Sequence, residues 1–140
     1  MPATLTLSSP RFVCLIAWDA TSATVDDITL IARRLLDAGA VYVCAWGPDC
    51  ERVHDIVDEI GLGPNPSDHI DRVIMTTWHD DEPLAEAILF VLISALPDEP
   101  YAAGCNATLG LVIGSPVWTA EVRKAFAKPS AFIKQGLANT

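Results

Sequence analysis

Residues 12–18 read FVCLIAW, an unbroken apolar run closed by Trp18 and followed by Asp19. Continuous apolar character belongs to a strand buried on both faces, as in a parallel sheet. Parallel neighbours need a crossover, so a helix should follow. It does: Thr24 and Asp27 make a capping box, and Ile28, Ile31, Leu35 and Ala38 recur at helical spacing before Gly39. The unit repeats. VYVCAW at 41–46 leads through Gly47, Pro48 and Asp49 into a helix over 50–60. VIMTTW at 73–78 leads through a polar turn and Pro83 into a helix ending near Leu96, ahead of Pro97. TLGLVI at 108–113 leads through Gly114, Ser115 and Pro116 into a helix to about Ala127, and a short helix over 131–135 follows Pro129.

Strand-helix alternation predicts an α/β fold: a single three-layer domain with a four-stranded parallel sheet and helices on both faces. Right-handed crossovers leave few topologies. The order 2-1-3-4 is preferred and 3-2-1-4 is the alternative. Residues 1–10 read as a flexible N-terminal arm and 11–140 as the single domain, with a loop over 62–68 and another over 98–106.

The chain has 140 residues, 51% of them hydrophobic and 19% charged. That is enough to bury a core without disulfide or metal. The net charge of −9 repels a nucleic-acid backbone and excludes an electrostatic DNA or RNA binder. The N-terminus lacks a basic start with an apolar core, and no apolar run spans a bilayer. A soluble, acidic, cytoplasmic protein is the expectation, with no membrane partner. Cys14 and Cys44 fall inside strands and should be inert, whereas Cys50 or Cys105 should react.

Ligands of open parallel sheets bind beyond the carboxyl ends of the strands. There the sequence collects Trp18 and Asp19, then Trp46, Asp49 and Cys50, then Trp78, His79, Asp80 and Asp81, and finally Ser115. In the functional reading, Asp19, His79 and Asp80 are candidate metal ligands and His79 a candidate acid or base. In the architectural reading, Asp49, Asp81 or Glu82, and Ser115 are helix caps and the tryptophans core edges. His54 lies one turn from Cys50, and two ligands alone are a weak signal. His69 sits in a loop without an evident companion. There is no G-x-G-x-x-G, P-loop or G-x-S-x-G, and no receiver-type acid pair. Nucleotide binding in a standard mode is therefore disfavoured, and no cofactor is predicted beyond a divalent cation as an alternative.

The third helix carries almost no polar face over 84–96. Either the C-terminal helix or a second subunit must cover it, which makes Leu89, Phe90 and Ile93 candidate interface residues. The stretch MTTWHDDE at 75–82, with this apolar helix after it, resembles a family of small uncharacterised bacterial α/β domains with a Rossmann-like fold. The resemblance spans 12–96 and implies a fold and a bacterial source but no activity. Two functions follow from the residues. One is a non-enzymatic protein-binding or accessory module using the acidic surface and Trp-rich rim. The other is a small metal-dependent hydrolase or ligand-binding domain at the carboxyl ends of the strands. No complete catalytic constellation can be named.

Overall fold

Side chains of β1 (Arg11–Trp18) alternate between two apolar layers, which is why its sequence shows no polar face. Phe12, Cys14 and Ile16 point into one layer; Val13, Leu15 and Ala17 point into the other. The computed structural model describes residues 9–62 and 73–138. Residues 1–8, the loop residues 63–68 and His69 lie outside the described residues.

The first layer is closed by α1 (Val25–Ala38) and α2 (Cys50–Leu62), which cover β1 and β2 (Ala40–Trp46). The second is closed by α3 (Leu84–Ile93) and α5 (Pro116–Ala127). β3 (Met75–His79), α4 (Glu99–Ala102), β4 (Cys105–Ile113) and α6 (Pro129–Ala138) complete the chain. The described residues thus form an α/β fold with helices on both faces of a four-stranded sheet. Every pairing is parallel.

The strand order is 3-2-1-4, the alternative rather than the preferred one. The physical reason lies in strand composition. β2, AVYVCAW, is buried along nearly its whole length and belongs in the middle. β3, MTTWH, is short, with two threonines and a histidine, and its burial suits an edge.

α1 keeps its expected bounds. Thr24 Oγ1 accepts from Asp27 N at 3.0 Å, the Asp27 carboxylate accepts from Thr24 N at 3.0 Å, and Gly39 closes the helix at φ 117°. Ser9, assigned to the arm by sequence, is buried. Its hydroxyl donates to Gly104 O at 2.9 Å and accepts from Asn106 N at 3.0 Å, joining the chain ahead of β1 to β4. α3 stops at Ile93 rather than Leu96, because the chain must leave the helical conformation ahead of Pro97. α6 is longer than expected and lies against α3, with Gly136 packed on Leu89. The C-terminal helix is therefore a cover of α3 within its own chain. Leu89 and Phe90 are half-buried, and Ile93 remains 40% exposed. No helix among the described residues is long and apolar enough to cross a membrane.

Candidate functional site

The strand order decides which rim residues meet. β2 lies between β1 and β3, so the ends of β1 and β3 are two strand spacings apart, about 10 Å. The expected meeting of Asp19 with His79 and Asp80 does not occur. Instead two clefts open at the rim among the described residues. One, of about 360 Å³, opens between the ends of β1 and β4 and is lined by Trp18, Asp19, Thr21, Ser22, Gly114, Ser115 and Trp118. The other, of about 420 Å³, opens between the ends of β2 and β3 and is lined by Trp46, Gly47, Asp49, His79, Asp80, Asp81 and Glu82.

The first cleft sits where the strand order reverses: the chain steps from β1 through β2 to β3, then crosses back to β4 beside β1. The connections on either side of this point leave to opposite faces, which opens the crevice. Asp19 Oδ1 accepts from Thr21 N at 3.2 Å and from Thr21 Oγ1 at 2.7 Å. The hydroxyl bond, then the backbone bond, hold its carboxyl below the usual carboxylate range. Ser115 caps α5, its Oγ accepting from Trp118 N at 3.2 Å. Trp118 stands edge-on to Trp46, 4.8 Å between ring centroids, and so divides the two clefts.

In the second cleft His79 is 8% exposed and committed on both nitrogens. Nδ1 lies 2.8 Å from Glu82 Oε1, and Nε2 lies 2.8 Å from Thr77 Oγ1. Its ring also packs on Phe90 at 4.6 Å. His79 is thus built into the turn, and the expected acid-base role has no nitrogen turned to the cleft. Trp46 Nε1 donates to Glu82 O at 2.8 Å and fixes the same turn.

The capping explanation holds for Ser115 and fails for the acids. An N-cap needs extended backbone, whereas Asp49 has φ 66° and Asp81 φ 58°. Asp49 turns its carboxylate to Arg52 Nε at 2.8 Å. Arg52 Nη2 in turn donates to Ala20 O at 2.6 Å and Ala23 O at 2.8 Å, tying the loop after β1 to α2. The residue ahead of α3 is Pro83, with no side-chain cap. Gly47, at φ 115°, lets the turn after β2 press against the Trp18 carbonyl, where any Cβ would collide.

Two further candidates are displaced. Cys50 is 2% exposed; burial, ahead of any other cause, raises its thiol above the ordinary range, so the expected reactivity is corrected. Trp78 points away from both clefts and packs on His54 at 4.6 Å, because His79 next to it points inward and successive strand residues face opposite ways. Trp118 takes its place at the rim. Its signal was present in sequence as an indole in the first turn after Ser115. Cys14 and Cys44 are buried and raised by burial, Cys44 to about 12. Among the described residues no three His, Cys, Asp or Glu side chains are grouped to hold a metal ion, so Asp19, His79 and Asp80 do not make a centre.

No curated protein and no solved structure matches the chain. Residues 1–129 match the model of DUF7684, a domain of unknown function, and the chain belongs to that family.

Proposed function

We propose that this domain is a non-enzymatic binding module that seats an arginine-bearing segment of a protein partner in the crevice between the ends of β1 and β4. The observation that carries this reading is the pairing of Trp18 with Asp19 at the reversal of strand order. A guanidinium is planar and always charged. It stacks on an indole and pairs with a carboxylate through two parallel N–H donors. Asp19 is held ionised by Thr21 and keeps acceptor capacity after those bonds. Asp80 and Asp81 on the neighbouring cleft and the net charge of −9 favour a basic chain running along the rim.

An arginine-rich peptide and a lysine-rich peptide of equal charge test the reading by calorimetric titration. Arginine should bind more tightly, and both should weaken with salt. Asp19→Asn and Trp18→Ala should each weaken arginine binding about threefold to tenfold, the range for one exposed ion pair or one stacked cation. Equal affinity for both peptides, or variants that bind as the wild type does, would refute it.

A second reading, a small ligand in the same crevice, is favoured by its place at the strand reversal, where open α/β sheets take ligands. Small-molecule screening by thermal shift, with Asp19→Asn as the control, separates it from the first.

A further inference from the structure

β4 has the composition of a covered strand and the position of an open one. CNATLGLVI contains no charge and no proline, and it is the longest strand of the sheet. It pairs with β1 on one side, and among the described residues no strand pairs with its other side. Edge strands are normally blunted by brevity, charge, proline or a bulge. β3 meets that expectation: it has five residues, Asp58 beside Thr76, and Asp80 and Asp81 just beyond its end. β4 does not. Its single irregularity lies at its start, and residues 107–113 pair regularly with β1.

We infer that β4 is the contact edge of a homodimer, in which two copies pair β4 with β4 antiparallel about a two-fold axis. Three observations select a second copy as the occupant. An antiparallel strand pair is complementary to itself under a two-fold, so one sequence satisfies both sides. Like copies at net charge −9 repel wherever their charges meet, yet no charged residue occurs between Glu99 and Glu121, a stretch that holds all of β4. Leu109, Leu111 and Val112 are each only half covered within the chain, and Val117, just past the strand, is 74% exposed. Pairing would bury these side chains and satisfy the outward backbone groups of β4 together. The result is one continuous sheet of two four-stranded halves. This inference uses none of the rim residues and stands apart from the peptide reading.

Sedimentation equilibrium of the full chain tests it, together with amide hydrogen exchange. The protein should be a dimer in the micromolar range. Outward amides of β4 should be protected when concentrated and exchange faster on dilution, while those of β3 stay fast throughout. Thr108 is exposed at mid-strand. Thr108→Lys and Thr108→Asp should each weaken the dimer at least tenfold with unchanged circular dichroism, since either sign brings like charges together at the axis. A monomer at all concentrations overturns the inference, as does a dimer that survives both variants or β4 amides whose protection ignores dilution.

Discussion

At the rim, single residues show how far identity alone can mislead. Asp49, Asp81 and Ser115 all precede helices, yet only the serine caps one. The difference is φ, which residue identity does not report: aspartate tolerates left-handed backbone better than most residues. Ser115→Ala should therefore cost about 1 kcal/mol in a denaturant melt. Asp81→Gly removes the side chain while suiting the left-handed backbone, so it should cost nothing or stabilise, and a loss of about 1 kcal/mol there would contradict the geometry. Gly47→Ala should cost about 1–3 kcal/mol, because a Cβ meets the Trp18 carbonyl at a backbone angle that strains side chains. Thiol labelling of the folded protein should modify Cys105 first and spare Cys14, Cys44 and Cys50, all three buried; rapid labelling of Cys50 would be inconsistent with its burial. Asp19 and Asp27 both have folded pKa values below the ordinary 3.8. A depressed carboxylate contributes stability that is present above its unfolded pKa and lost as pH falls through the folded one. Asp27→Asn should thus flatten the loss of stability below about pH 4, and a variant with an unchanged acid limb would show that Thr24 does not hold that carboxylate.

Elements were legible wherever periodicity and punctuation agreed. α1 lies between Thr24 and Gly39 as its capping box and left-handed glycine require, and α5 starts at Pro116 behind Ser115. α4 was not legible, since a single turn at Glu99–Ala102 has no period to read. α6 was underestimated because Pro129 reads as a breaker, whereas at the first position of a helix it is a starter. The all-apolar sequence of α3 correctly demanded a cover without saying which element provides it. α6 does so without burying any residue of its own fully, and the family match ends at residue 129, where α6 begins. A chain stopped after Lys128 should expose Leu89 and its neighbours on α3. It should bind a hydrophobic dye, or aggregate, at temperatures where the full chain does neither. A truncated protein as soluble and dye-silent as the full one would mean that α6 contributes no cover.

For the whole molecule, the fold class followed from strand-helix alternation, but the order of strands did not follow from the crossovers alone. Composition held the missing information: threonines and a histidine in β3 mark an edge, and the unbroken apolar run of β2 marks a centre. That order decides the site. With β2 between β1 and β3, Asp19 faces Ser115 and Trp118 across one crevice, while His79 is locked into the turn of another. The four tryptophans now stand in three settings: Trp18 and Trp118 line the first crevice, Trp46 bonds to Glu82 O, and Trp78 packs on His54. Their indole N–H resonances are therefore separate reporters of where a basic segment lands. The most direct measurement is a proton-nitrogen NMR titration of the full chain with the arginine-rich peptide. Saturable shifts at Trp18 and Trp118, with Trp78 unmoved and the Trp18 shift abolished by Asp19→Asn, are the predicted result. Shifts confined to Trp78, or none at any indole under conditions where the peptide binds, would contradict it.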